Sequence, residues 1–377
     1  MNRWFLGLIS GTSADGVDAA LVSFDDNGVL AAPAFAQTTA YPASLRAALL
    51  ECMRSDAALS LQTLGALDQR VAQAFADAAL RLIHSAPISA QDVVAIGSHG
   101  QTLFHAPGGD YPHTLQIGDP SSIAALTGID TVADFRRADM AAGGQGAPLA
   151  PALHAAQWRS ATEPRAVVNL GGIANVTVLP AAPDEPVVAF DSGPANCLMD
   201  SWHALHRGGP VDTDGRWARQ GSVAASLFNA MRGDPYFARR GPKSTGREYF
   251  DTAWLRGHLA AQPKLTPVDV QATLLALTVE TVAAALEQSG ASSIFLCGGG
   301  ARNQTLVSSL ARQLKDADIR KTDELGIPAD DVEAVSFAWL AMRHVDRLPG
   351  NLPSVTGATR PAILGGCYPA TDGSTRT

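Results

Sequence analysis

The chain has 377 residues, 46% of them hydrophobic and 17% charged, which suffices for two folded domains and excludes a disordered protein. A formal net charge of −8 and a pI near 5.5 argue against a nucleic-acid backbone as partner, and leave an anionic small substrate open to a local arginine cluster. The four cysteines (Cys52, Cys197, Cys297 and Cys367) are scattered, without CxxC or zinc-ligand spacing, as expected of reduced residues in a cytoplasmic protein.

The first elements are two apolar runs, Trp4 to Ile9 and Ala19 to Phe24, that read as strands of a hairpin. A third strand is expected within Val29 to Thr39, then helices over Ala43–Met53 and Leu59–Ile83. Leu64, Leu67, Val71, Phe75 and Ala78 give the second helix one apolar face. Val93 to Ile96 reads as a buried strand ending at Gly97-Ser98-His99-Gly100-Gln101-Thr102, and Asp130 to Ala133 as another, followed by a loop holding Arg136 and Arg137. The start of the chain lacks the apolar stretch of about 7–15 residues of a signal peptide. No run approaches the roughly 20 apolar residues of a membrane span.

The pattern then repeats from about Pro164. Ala166–Leu170 and Asn175–Leu179 flank Gly171-Gly172-Ile173-Ala174, and Val187–Phe190 is a third strand ending at Asp191-Ser192-Gly193-Pro194. A helix follows with Pro194 near its start. Leu275, Val279, Val282 and Leu286 mark a further helix, Ser293–Leu296 a strand delivering Cys297-Gly298-Gly299-Gly300, and Asp330 to His344 the last helix. Two α/β domains, 1–162 and 163–377, are expected to face each other across a cleft, with glycine turns at the strand ends where open α/β sheets place ligands.

The stretch from Ser10 to Asp18 is the most informative. Gly11 and Gly16 let the backbone bend close to a ligand, Thr12 and Ser13 add hydroxyls, and the free amides suit phosphate. Asp15 and Asp18 fit if a divalent cation accompanies the nucleotide. Taken alone the segment also reads as an ordinary polar turn.

Three elements in order, Gly11–Gly16, Asp191–Pro194 and Gly298-Gly299-Gly300-Ala301-Arg302-Asn303, resemble the phosphate-1, phosphate-2 and adenosine elements of the superfamily of sugar kinases, heat-shock chaperones and actin, in which two ribonuclease-H-like domains clamp ATP. Longer stretches resemble the 1,6-anhydro-N-acetylmuramic acid kinase family: Gly7 to Asp18, Gly97 to Thr102, Ala133 to Arg137, Ala141 to Pro148, Asn169 to Asn175, Gly241 to Glu248 and Cys297 to Asn303. One departure is Ala195, where the family pattern leads one to expect glycine. Another, from the superfamily, is the segment Gly7-Leu8-Ile9-Ser10, which lacks a carboxylate before the turn.

This resemblance implies an ATP-dependent kinase that opens the 1,6-anhydro bridge with water while phosphorylating O6, giving N-acetylmuramic acid 6-phosphate and ADP in peptidoglycan recycling and amino-sugar catabolism. It implies ATP contacts from Gly11, Thr12, Ser13, Ala14, Asp15, Gly16, Val17, Asp18, Gly171, Gly172, Gly193, Gly298, Gly299, Gly300 and Asn303, with Mg2+ accompanying ATP. Asp191 is expected to be the general base for water, or else a helix cap or a magnesium ligand through water. The resemblance implies that Glu333 is a second catalytic residue, touching the sugar and steering the water or a hydroxyl, or else it is a first-turn glutamate favoured by the helix dipole. Arg136 and Arg137 suit the lactyl carboxylate, or form a solvated pair, and His99 and Gln101 are placed to bond the sugar. Gly241-Pro242-Lys243-Ser244-Thr245-Gly246 is not a P-loop, because Pro242 stands where the glycine before lysine belongs. A homodimer is expected, with no nucleic-acid or membrane partner. The competing readings are a superfamily kinase for another sugar or a carboxylate, and a nucleotide-gated clamp without enzymatic activity.

Overall fold

The computed structural model describes residues 2–32, 34–54, 57–239, 243–262 and 264–370. In chain order, β1 (Arg3–Ser10) turns back into β2 (Gly16–Phe24) and β3 (Phe35–Ala40). Helices α1 (Ala43–Cys52) and α2 (Leu61–Ser85) follow, the latter capped by Ser60, whose Oγ accepts from the Thr63 amide at 3.0 Å. Leu67, Val71, Phe75 and Ala78 of α2 are buried in one core with Leu6, Leu8 and Leu21 of the sheet, so the apolar face is where the sequence puts it.

Next come β4 (Val93–Ala106), β5 (His113–Ile117), α3 (Pro120–Thr127), β6 (Thr131–Ala133), α4 (Phe135–Ala141) and α5 (Ala150–Trp158). Two expectations change here. The strand from Val93 runs on through the Gly97–Thr102 motif to Ala106, because β5 pairs with its second half. Arg136 and Arg137 lie in helix α4, not in a loop; Asp134, at φ +62°, makes the sharp entry from β6.

The second stretch opens with β7 (Arg165–Leu170), β8 (Ile173–Leu179) and β9 (Val188–Pro194). Then follow α6 (Asn196–Arg207), α7 (Ala225–Arg232), α8 (Pro235–Ala238), α9 (Thr252–Ala260), α10 (Pro267–Ser289), β10 (Ser293–Cys297), α11 (Gln304–Gln313) and β11 (Asp318–Lys321). Pro194 ends β9 instead of opening α6, whose cap is Ala195. Leu275, Val279, Val282 and Leu286 are buried on α10 as expected. By length and composition α10 could cross a membrane, against the expectation that no segment could, and it is mostly buried within the protein. The chain closes with α12 (Val332–Val345), α13 (Pro353–Thr356) and β12 (Gly366–Tyr368).

Two compact units result: 1–157 with 331–377, and 158–330. This corrects the two-block division at 162/163, since the last segment returns to the first unit. The physical reason is α12, which packs on β1 and β4 so closely that a Cβ on Gly7 would overlap the Ala334 carbonyl and one on Gly97 the Phe337 carbonyl. Each unit carries the same five-strand arrangement. In the first the order is β3-β2-β1-β4-β6, and in the second β9-β8-β7-β10-β11; the three-stranded meander is antiparallel and the last two strands run parallel to the hairpin's first strand. That duplicated α/β topology is the ribonuclease-H-like fold the motifs imply.

Candidate active site

In the first unit the turn after β1 is held from below. The Gln101 amide, fully buried in β4, donates to the Gly11 carbonyl at 3.1 Å, and its Oε1 accepts from Ser10 Oγ at 2.7 Å. Gln101 therefore positions the turn instead of presenting a free amide to sugar. The turn itself is open: Gly11, Thr12 and Asp15 are exposed, and among the described residues the Thr12 and Ser13 amides have no hydrogen-bond acceptor. Ala14 and Val17 are wholly buried, so only their backbone faces outward chemistry. The two acids depart from a cation-binding pair. Asp15 is ion-paired with Arg46 at 2.8 Å, and Asp18 accepts from Thr38 Oγ1 at 2.6 Å.

Two residues further back along β4, His99 is buried beside Phe337 of α12, with ring centroids 4.7 Å apart. Its Nε2 accepts from Arg136 Nε at 2.8 Å, which requires the proton on Nδ1, and Nδ1 donates to the Gly100 carbonyl at 2.9 Å. Burial, reinforced by the Arg136 charge, pushes its pKa far below the usual histidine range, so the ring is neutral. Both nitrogens are thus spent inside the protein, and the expected direct sugar contact becomes a support for Arg136. Arg136 also donates from Nη1 to the Gly146 carbonyl at 2.8 Å. Burial works against its charge, and Glu333 and Asp139 favour it. Glu333 is exposed on the first turn of α12, one helical turn from Phe337, which gives it the Arg136 attraction as well as the dipole. Arg137 is separated from its neighbour: exposed, it pairs with Asp134 at 3.1 Å. The two arginines do not form one fork.

Asp139 is a residue the sequence reading missed. Wholly buried, it accepts from the Gly146 amide at 2.8 Å, Asn351 Nδ2 at 2.7 Å and Thr356 Oγ1 at 2.8 Å, tying the Gly143–Gly146 loop to the C-terminal segment. A lone aspartate about one helical turn after Arg136 looks like surface charge; only its distant partners reveal it.

In the second unit Asp191, Asn175 and Asn169 form one row across β9, β8 and β7. Asn175 Nδ2 donates to Asp191 Oδ1 at 2.5 Å and the Thr245 amide to Oδ2 at 2.9 Å. The strap from Lys243 to Thr245 lies along the strand, its Lys243 carbonyl accepting from the Asp191 amide at 2.9 Å. Gly241 and Pro242 of that loop lie outside the described residues. Burial raises the Asp191 pKa, the Thr245 and Asn175 bonds lower it in part, and Glu248 adds to the rise, leaving it above the ordinary carboxyl value. Asp191 caps no helix: α6 begins after Ala195 and its carboxylate bonds elsewhere. The two asparagines were not singled out from sequence, though two amides flanking Leu170-Gly171-Gly172-Ile173-Ala174 within β-rich runs are a usable signal.

The Gly171–Gly172 turn is closed on itself. Its carbonyls accept from the Ala195, Asn196 and Cys197 amides at 2.9–3.1 Å, and Asn196 Nδ2 adds bonds to Leu170 and Gly171. Ala195 sits at φ −106°, so the alanine in place of glycine meets no positive-φ penalty. Gly193 pairs with Ala174 in the ladder. Gly298, at φ +77°, passes so near Asn169 that a Cβ would overlap its Oδ1, and its amide donates to Ala329 O at 2.7 Å. Gly299 is exposed with open space beside it, Gly300 is buried against Leu170, and Asn303 caps α11 by accepting from the Leu306 amide at 3.1 Å. Among the described residues there is no cluster of three metal-ligating side chains.

The solved structures similar to the chain include the following three. The activator of the 2-hydroxyisocaproyl-CoA dehydratase from Clostridium difficile with bound ADPNP is 12% identical, covers 92% of this chain and 96% of its own, and has a TM-score of 0.42. The ROK hexokinase from Thermus thermophilus is 16% identical over 90% and 99%, at a TM-score of 0.37. A ROK family glucokinase from Streptomyces griseus in complex with glucose and AMPPNP is 13% identical over 90% and 99%, at 0.36. The family model for anhydro-N-acetylmuramic acid kinase matches residues 3–370. The chain belongs to the anhydro-N-acetylmuramic acid kinase family and is a phosphotransferase enzyme.

Proposed function

We propose that this enzyme uses ATP and water to open 1,6-anhydro-N-acetylmuramic acid and phosphorylate O6. The observation that carries the reading is Asp191: a half-buried carboxylate, raised above its ordinary pKa, with each oxygen oriented by one donor. Asp191 takes a proton from water as its oxygen bonds to C1. The C1–O6 bond breaks, O6 takes the γ-phosphoryl group, and ADP leaves. General-base catalysis of this kind is worth about 10²–10⁴-fold.

The Gly11–Asp18 turn, with its unengaged Thr12 and Ser13 amides, suits phosphate, and the Gly298–Gly300 turn, open at Gly299, suits the adenosine part of ATP. Arg136, held by His99 and Gly146, recognises the lactyl carboxylate, and Glu333 lies beside it. Mg2+ bound with the nucleotide would neutralise phosphate charge. Asp191 would hold it through a water, because one acceptor site on each oxygen is already used. A cytoplasmic homodimer serving peptidoglycan recycling completes the reading.

The test is ADP release in Mg2+ with and without the anhydro sugar, followed by product analysis. A 6-phosphosugar with the bridge opened is expected. ADP release indifferent to this sugar, with another sugar or a carboxylate phosphorylated, would favour a different kinase of the same superfamily.

A further inference from the structure

The second unit has a cavity of about 350 Å3 between α10 and β9. Val188, Phe190 and Ser192, alternate residues of β9, line it, so the strand's alternation turns Asp191 to the opposite face. Arg232 at the end of α7, Arg239 after α8, and Lys243 in the strap converge on this cavity.

The three cations are poorly compensated. Lys243 Nζ lies 4.5 Å from the Tyr236 ring centre and donates to the Tyr236 carbonyl at 3.2 Å. The Arg239 guanidinium lies over the same ring, and Arg232 over Phe237. Among the described residues the one carboxylate ion-paired with any of them is Glu280, 3.8 Å from Arg232 Nε, and that buried nitrogen makes no hydrogen bond. Burial, and after it the charges of Arg232 and Arg239, hold Lys243 below the ordinary lysine value. Cations gathered in a concave, largely apolar site favour an anion with a compact body.

We propose that this cavity binds a small phosphate dianion, free or as a monoester, between Arg232, Arg239 and Lys243. Its occupancy is coupled to the base on the other face of β9. The Lys243 backbone carbonyl accepts from the Asp191 amide, and two residues on the Thr245 amide donates to Oδ2, so an anion that draws the Lys243 side chain inward fixes the strap holding that carboxylate.

Binding is measured on the full chain by calorimetry with a saturating non-hydrolysable nucleotide present, titrating inorganic phosphate in one arm and glucose 6-phosphate in the other. One further site is expected, weakened at least about tenfold by Arg232→Gln and by Arg239→Gln, and untouched by Arg312→Gln on α11. Arg239 is exposed, so its substitution tests the site without threatening the fold. Tighter binding of the sugar phosphate assigns the ligand as a monoester; equal binding assigns free phosphate. No additional site, or binding indifferent to both substitutions, overturns the proposal. The binding arm needs no turnover, so its failure is distinct from failure of the proposed reaction.

Discussion

The two units repeat one topology, yet the hairpin turn at the same place in each is finished differently. Between β1 and β2 the chain takes five residues, Gly11 to Asp15, most of them exposed, with two amides unengaged. Between β7 and β8 it takes two, Gly171 and Gly172, and their carbonyls close onto the first amides of α6. A shared backbone plan thus leaves one turn free for a ligand and uses the other as a structural joint. In the second unit the residue proposed as base, Asp191, lies one strand over, on β9. Position in the topology marks where a site can form; hydrogen-bond accounting decides which turn is available.

The sharpest way to break this contrast is Asp191→Asn. Turnover should fall about 10²–10⁴-fold, roughly 3–5 kcal/mol of barrier, with nucleotide affinity retained. In the unmodified enzyme the acid limb of kcat should lie above the ordinary carboxyl value, because burial raises this group. Near-normal turnover in the variant removes Asp191 as base.

The closed joint is tested next through Asp200 on α6, whose pKa burial pushes up to about 6, against the opposing pull of Arg247 and His203. A carboxyl raised in the folded state stabilises most when protonated. That contribution is complete below the unfolded value near 4 and is lost as pH rises through about 6. Asp200→Asn should therefore match the parent at pH 4 and exceed it by at most about 3 kcal/mol at pH 8, read by urea unfolding. A pH-independent difference would show that α6 carries no such burden.

Gly16→Ala should cost about 1–3 kcal/mol, since a Cβ there overlaps the Thr39 carbonyl and lies 2.9 Å from the Ala40 Cα. Gly11→Ala meets nothing nearer than Ser13 Oγ at 3.9 Å, so its stability should change by less than about 0.5 kcal/mol. Comparable losses at both would mean the open turn is as constrained as its base. Smallest of all, Arg46→Gln should cost about 0.2–1 kcal/mol, because its pair with Asp15 is exposed. A greater loss would make that ion pair part of the turn's framework.

Much of this was legible in the sequence. The repeated hairpins, the α2 and α10 faces and the third strand carrying Asp191 follow from local pattern, although that strand runs on past Asp191 to Pro194 instead of ending there. Of the expected sugar contacts His99, Gln101, Arg136 and Arg137, the structure brings His99 and Arg136 into one hydrogen bond, with Glu333 close enough to favour the Arg136 charge, while Gln101 and Arg137 are engaged elsewhere. What spacing cannot give is the direction in which a polar group is spent. Gln101 and His99 look like sugar contacts until their partners, Gly11 and Arg136, are seen. Asp139 and the C-terminal residues it binds are 212 and 217 positions apart, beyond any local signal. The return of α12 to the first unit is of the same kind.

That return has a consequence for how the protein is made. The second unit is one uninterrupted stretch, 158–330, whereas the first is assembled from the two ends of the chain. As the polypeptide leaves the ribosome, the stretch begun later has everything it needs first, reversing the usual N-to-C order of domain folding. The earlier sheet, with its Gly7 and Gly97 grooves shaped for α12, waits for residues after 330 to emerge before its core can close.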